Sequence, residues 1–260
     1  MKFLKIIVLF IASIILTNCT IKESITFNED GSGSFLLNYD MAEFVNKMKE
    51  EMGDGATGGK EAIDTLMVFS DIIEIHKDSV AALPEEKQVA LEAVKDMYMK
   101  MRMDEEQGVF DMGIGLNFQS IEDLKNISDK IEKAKSLNSK NDQVDAMKSS
   151  PLGKFMGEDN KGFEYSYNGL EFNRITSLPE DYNINEEKFD EDDETNKEFM
   201  EYFNNAYYIV EYTFPKKIIS HSLKNAELSN NNKTISYKVS WLDFIKNPKI
   251  LDINLKFSNE

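Results

Sequence analysis

Between Ile21 and Phe257 the chain repeatedly places apolar residues at every second position, and this alternation restricts the fold more than any other property of the sequence. A period of two suits a strand with one buried face and cannot form a stripe along a helix. Ile21, Ile25 and Phe27 fall on one side, with Lys22, Ser24, Thr26 and Asn28 on the other. The turn residues Asn28-Glu29-Asp30-Gly31-Ser32-Gly33 then lead into Phe35, Leu37 and Tyr39, which predicts a β-hairpin. A second hairpin is predicted where Met97, Met99, Met101 and Met103 are followed, after Asp104 to Gly108, by Phe110, Met112, Ile114, Leu116 and Phe118. Those methionines share a face only if the segment is a strand. Asn168-Gly169, flanked by Phe163, Tyr165 and Tyr167 before and Leu170 and Phe172 after, predicts a third hairpin. Three further alternating runs close the chain: Tyr208 to Phe214, Ile235 to Trp241 and Leu251 to Phe257.

Helical spacing appears between these runs. Residues 41–52 carry Phe44, Val45, Met48 and Met52, and the glycine-rich stretch from Gly53 to Gly59 reads as a flexible linker. A helix is predicted from Lys60 to Ile75 on the stripe Ile63, Leu66, Met67 and Ile73. Pro84 with Glu85 and Glu86 fits the first turn of another, with Val89, Leu91 and Val94 as its buried side. Ser120 and Asp123 form a capping box that starts a helix running to about Ser136. Residues 138–160 read as loop with short helical pieces, and 179–194 as an exposed acidic connection before a short helix on Phe199, Met200 and Phe203.

The expected class is α+β: a mainly antiparallel sheet built from hairpins, solvated on one side, with helices packed on the other face. The first hairpin and the C-terminal strands are expected to share a sheet, because two or three strands alone cannot bury an apolar face. The segments are 1–18, a leader; 19–178, a hairpin and a mixed helical and β middle; 179–206, the acidic linker and short helix; and 207–260, strands completing the sheet with the N-terminal hairpin.

The leader has a basic start at Lys2 and Lys5 and an apolar run from Ile6 through Leu16, the pattern of a cleaved signal peptide. As a helix rising about 1.5 Å per residue, that run covers roughly half of a hydrocarbon core, so a permanent membrane span is disfavoured. Leu16-Thr17-Asn18-Cys19 resembles the lipobox of bacterial lipoproteins, in which lipid (diacylglycerol and palmitate-type chains) joins the cysteine and cleavage makes it residue one. Asn18 departs from the small residue usual at that place. Cys19 is the only cysteine, which excludes disulfides and thiolate metal sites and leaves lipidation as its assigned role. Each buried methylene of an acyl chain contributes about 0.8 kcal/mol, so two or more chains hold a protein stably.

Losing Lys2 and Lys5 from the 30 basic residues while keeping all 47 acidic ones leaves the mature chain near −19. Such a charge excludes nucleic acid as a partner and opposes adsorption of the body onto anionic lipid. The membrane partner is therefore expected to be reached through the N-terminal anchor alone.

The opening Cys19-Thr20-Ile21, then Ile25-Thr26-Phe27-Asn28-Glu29-Asp30-Gly31-Ser32-Gly33, together with Phe214-Pro215 and Thr234-Ile235 to Trp241, resembles the LppM-type domain of small envelope lipoproteins. The resemblance lies at the two ends of the chain, and residues 41–160 depart from it. It implies a noncatalytic β-rich domain associated with envelope glycolipid. The Lys, Ile and Asn usage and Asn18 are similar to lipoproteins of the Bacteroidetes. The expected address is the bacterial cell envelope, lipid-anchored at the outer membrane and facing periplasm or cell surface.

No pattern in the chain favours catalysis. The methionine stripe invites a copper(I) reading, but one strand spaces alternate side chains too far apart for all four to share an ion, and core packing explains them. Asp190 to Glu194 with Glu201 mimics a calcium loop whose sixth place holds Thr195 instead of glycine, so no metal site is assigned. Asn28, Asp30 and their glycines are explained by the hairpin turn. Gly55 to Lys60 fails as a phosphate loop at Asp54 and Glu61. The only histidines, His76 and His221, exclude HExxH; His76 reads as a helix end, and His221 between Ser220 and Ser222 is the sole hydrolase candidate. The chain is thus expected to be a noncatalytic, cofactor-free envelope lipoprotein with a binding or structural role. Its first rival is a lipid or glycolipid carrier with an apolar cavity, its second a hydrolase using His221.

Overall fold

The computed structural model of the protein describes residues 19–52, 62–104, 106–137, 162–178, 197 and 203–259. The fold is α+β, with twelve strands among the described residues, arranged in two mostly antiparallel sheets. The larger sheet begins with the first hairpin, β1 (Thr20–Phe27) and β2 (Gly33–Asp40), followed by helix α1 (Ala42–Met52). Next come β3 (Ile63–Val68), α2 (Phe69–Ile75), α3 (Lys77–Ala81), α4 (Glu85–Ala93), β4 (Met97–Asp104) and β5 (Val109–Phe118). A 3-10 turn at Ile121–Leu124 and α5 (Ile127–Leu137) lead on to the hairpin β6 (Gly162–Tyr167) and β7 (Glu171–Ser177). The C-terminal part comprises β8 (Tyr207–Thr213), β9 (Ile218–His221), β10 (Glu227–Leu228), β11 (Thr234–Ser240), α6 (Trp241–Lys246), a 3-10 turn at Pro248–Leu251 and β12 (Ile253–Phe257).

The large sheet runs β10-β11-β8-β1-β2-β5-β4-β3 and the small one β6-β7-β12-β9. All pairings are antiparallel except that of β1 with β8, in which Ile21 stands beside Tyr208 and Ile25 beside Tyr212. A parallel pair needs a long crossover, and here everything from β2 to β7 lies between the two strands. Alternation in β1 is read out as burial: Ile21, Ile25 and Phe27 are buried, and Lys22, Ser24 and Thr26 are not. In the third hairpin the strands are joined by the three residues Asn168–Leu170, where the expectation was a two-residue Asn-Gly turn, and Gly169 takes φ +80°, a conformation open to glycine. Gly115 answers a different need, since an added Cβ would overlap the ring of Tyr98 on β4.

The face of the large sheet around β1, β2 and β8 is covered by the small sheet, where the expectation was helices. Aromatic rings fill the space between the two. Phe27 stacks on Phe214 at 5.2 Å and meets Tyr167 at 4.5 Å and Phe172 at 5.9 Å, while Phe214 meets Phe257 at 4.6 Å. Such ring pairs each add about 0.5–1.5 kcal/mol beyond the area they bury. Helices take part elsewhere: α5 buries Ile127, Ile131 and Ala134 and borders β6 and α4, and α6 lays Phe244 against Tyr208 at 4.7 Å.

Several local expectations are corrected. Ile63–Val68 is a strand paired with β4, so the helix expected from Lys60 begins only at Phe69. The capping box at Ser120 and Asp123 is present but caps a 3-10 turn, and Asn126, with φ +59°, interrupts the path before α5 starts. Val89 is 60% exposed, so the buried side of α4 is carried by Leu91 and the adjoining Val94. Trp241 opens a helix instead of ending a strand, and Leu251 belongs to a 3-10 turn. Of the C-terminal strands, β8 and β11 join the first hairpin, whereas β12 pairs with β7 in the small sheet. The glycine linker, the loop at 138–160, the acidic stretch from 179 with its calcium-like run, and the helix residues Phe199 and Met200 lie outside the described residues.

Candidate functional site

A buried ion pair joins the two sheets. The inward positions of β1 are 21, 23, 25 and 27, and position 23 holds a glutamate among apolar residues; those of β7 are 172, 174 and 176, and position 174 holds an arginine. Glu23 is 0% and Arg174 2% exposed. The guanidinium grips the carboxylate with two hydrogen bonds, Nε to Oε1 at 3.0 Å and Nη2 to Oε2 at 3.2 Å. Tyr208 donates to Oε2 at 2.9 Å and Tyr212 donates to Oε1, both from β8. The remaining Arg174 nitrogen donates to Thr176 Oγ1 at 3.1 Å, and Thr176 passes a hydrogen bond on to the Pro248 carbonyl at 3.3 Å. Asp252 lies 3.8 Å from the same Arg174 nitrogen and accepts from the Thr176 amide at 2.7 Å. Phe163 lies beneath the guanidinium, its ring centre 5.2 Å from Cζ. The Tyr165 hydroxyl is buried facing this cluster without a hydrogen bond of good geometry.

Electrostatics follow from this geometry. Burial alone would raise the Glu23 carboxyl, but the Arg174 charge and the hydrogen bonds from Arg174 and Tyr212 outweigh it and hold the group below its ordinary value of 4.5. Burial, reinforced by the Glu23 charge, pushes the Tyr165, Tyr208 and Tyr212 hydroxyls well above their ordinary range. The carboxylate therefore stays ionised, with both oxygens occupied and the side chain 0% exposed. A group held in this way can fasten two sheets together but cannot take a proton from a substrate or attack one.

The residues singled out from the sequence lie elsewhere. Cys19 stands at the head of β1, 2% exposed, and its carbonyl accepts the Tyr207 amide at 3.0 Å. His221 ends β9 half-buried, with Nδ1 2.9 Å from the Leu223 carbonyl, and among the described residues neither a serine nor a carboxylate side chain bonds its ring. Ser222 accepts from the Asn254 amide and faces another strand. His76 caps the C-terminus of α2. Met97, Met99, Met101 and Met103 pair with Leu116, Ile114, Met112 and Phe110; the first two are buried in the core, whereas Met101 and Met103 are only half-buried, so core packing accounts for half of the stripe. Asp30 is closed on its own turn, its Oδ1 accepting from the Ser32 amide at 3.0 Å and hydroxyl at 2.6 Å, and these bonds hold its carboxyl below the usual range. Among the described residues, no three histidine, cysteine or carboxylate side chains are grouped to hold a metal ion.

Glu23 and Arg174 escaped the sequence reading, yet each left a signal: a charged residue in phase with the buried face of its strand. A further surface feature lies at the opposite end of β1 from Cys19. There the β1–β2, β6–β7 and β8–β9 turns meet the start of the 3-10 turn around an open cleft of about 430 Å³, lined by Asp30, Ser120, Tyr167, Asn168 and Lys216 among others.

No family model matches the chain, and no curated protein matches it. Among solved structures it is similar to the NMR structure of the folded domain of LppM from Mycobacterium tuberculosis, at 8% identity and a TM-score of 0.40, over 93% of this chain and 91% of that one. A likeness at that level carries no functional weight.

Proposed function

We propose that this chain is a noncatalytic envelope lipoprotein, anchored through lipid on Cys19, whose two-sheet body serves as a rigid binding or scaffolding module at the membrane. The observation that carries the reading is the placement of the sole cysteine directly after an apolar leader too short to span a bilayer and directly before the first strand. Among the described residues no helix is long and apolar enough to cross a membrane. The outer membrane remains the proposed address, and an envelope component the proposed partner.

The two rivals receive less support. A carrier needs a hollow between its layers, and the space between these sheets is filled by Phe27, Tyr167, Phe172, Phe214 and Phe257. A hydrolase needs His221 beside a serine and a carboxylate, and its ring is bonded to a backbone carbonyl instead. Fractionation tests the leading reading: the wild-type protein sediments with membranes and is released by detergent, whereas a Cys19→Ala protein leaves that pool in its processed form or keeps its leader. Recovery of a processed, soluble wild-type protein would refute the reading. Organic extraction of the purified protein separates the carrier, which would yield one equivalent of noncovalent lipid.

A further inference from the structure

The lipid-anchor reading, on which this inference rests, says that a bilayer holds the protein; the fold says which end meets it. We propose that the Cys19 end of the two-sheet body lies directly on the bilayer, with α6 and the 3-10 turn after it as the contact surface. On this account the loop cleft at the other end faces away.

The argument begins with the absence of slack. A flexible tether of n residues lets a domain wander about 5–6 Å × √n from its anchor. Here Cys19 is itself bonded into the sheet by the Tyr207 amide, and the next residue, Thr20, already pairs with Asp40 on one side and Tyr207 on the other. The lipid is therefore joined one residue, about 3.3 Å of strand, from an internal strand of an eight-stranded sheet. Cys19 is 2% exposed, so on this account its thioether emerges past the core residues at that end of the sheet.

The same end carries side chains suited to a lipid interface. Ser240 pairs with Tyr207 at the level of Thr20, and the chain then turns into α6, whose first amide, from Trp241, donates to the Ala206 carbonyl at 2.9 Å. Leu242, Ile245 and Ile250 are only half-buried, while Lys246 and Lys249 are exposed beside them. Lysines whose stems lie along apolar surface can reach up to headgroups. Asp40, Asp111 and Asp243 share this end, so the contact rests on acyl chains and apolar side chains more than on charge and tolerates salt. At the other end, the eight residues of β1 place the Asn28–Ser32 turn about 30 Å from Cys19. Asn168, Gly169 and Lys216 gather around that turn.

Energy transfer tests the orientation. Trp241 is the only tryptophan in the chain and sits at the proposed contact end. The natively processed protein is reconstituted into phosphatidylethanolamine and phosphatidylglycerol vesicles containing a dansyl-headgroup lipid. A second protein carries about twelve Gly and Ser residues inserted after Cys19. A third combines Trp241→Phe with Leu170→Trp, which moves the donor to an exposed position beside the far turn. The expected result is strong transfer from Trp241, a clear loss of it in the insertion protein, and weak transfer from the Leu170→Trp probe. Equal transfer from the two probes, or transfer that the insertion leaves unchanged, overturns the orientation. Intact mass decides which claim has failed: lipidated protein with equal transfer removes only the orientation, whereas unmodified Cys19 and empty vesicles remove the anchor and the orientation with it.

Discussion

The two halves of the large sheet are covered in different ways. Around β1, β2 and β8 a second sheet supplies the cover, with interlocking rings and an ion pair whose members come from opposite layers. At the other edge, β3 and β4 are bordered by the short helix α2, with α3 and α4 beyond it, and apolar side chains remain in water: Leu66 is 64%, Ile75 73% and Val89 60% exposed. An open groove of about 620 Å³ lined by Ile73, Val80, Val89 and Leu91 runs between those helices. The comparison teaches that the region where sheet meets sheet buries its aromatic and charged side chains almost completely, whereas the flank of short helices leaves large apolar side chains exposed.

The sharpest way to break that contrast is to unpair the clasp between Glu23 and Arg174. Glu23→Gln removes the carboxylate that Arg174 grips, leaves only the more distant Asp252, 3.8 Å away, to face the buried charge, and should cost about 3–5 kcal/mol, read as a lowered urea midpoint. Replacing both partners, with Glu23→Leu and Arg174→Met, should recover part of that loss only, because Tyr208 and Tyr212 are left without their acceptor. The acid limb is the second test. Glu23 is held below 4.5 in the folded protein, so its contribution is complete above that value and disappears as pH falls through the lower folded value. Denaturation between pH 7 and pH 3 should show this loss in the wild type and a shallower acid slope in Glu23→Gln.

Smaller effects are expected outside the clasp. Ser120→Ala removes the side chain that caps the 3-10 turn and should cost about 1 kcal/mol by the same denaturation measurement. Leu66→Thr and Val89→Ala, on the open flank, should stay within about 0.5 kcal/mol of wild type. A large loss at either flank position would mean that the helical side is as tightly built as the sandwich.

Legibility in the sequence divides along the same line. Strands with one wet and one buried face wrote a clean alternation, so β1, β2, β4 to β8, β11 and most of β12 could be read from residues such as Ile21, Ile25 and Phe27. The edge strand β3 could not: residues 63–66 are exposed on both faces, so nothing forced alternation, and Ile63, Leu66, Met67 and Ile73 happened to match a helical stripe. Strand partners were harder still. The parallel pairing of β1 with β8, and the departure of β12 to the small sheet, depend on which apolar faces fit together across distant parts of the chain, and local periodicity does not encode that. The clasp was half legible. Glu23 and Arg174 are each visible as charges in a buried phase, but that the two meet is a property of the folded sheets alone. Cys19 shows the reverse: its proposed role comes entirely from the residues before it, and its place at the head of β1 gives that role a mechanical consequence.

The measurement that bears most directly on the account is the intact mass of the protein extracted from its native membrane. The account predicts a chain that begins at Cys19 and is heavier than residues 19–260 by a diacylglyceryl group together with any further acyl chain. A chain that retains residues 1–18, or one that starts elsewhere with a free Cys19 thiol, would contradict it.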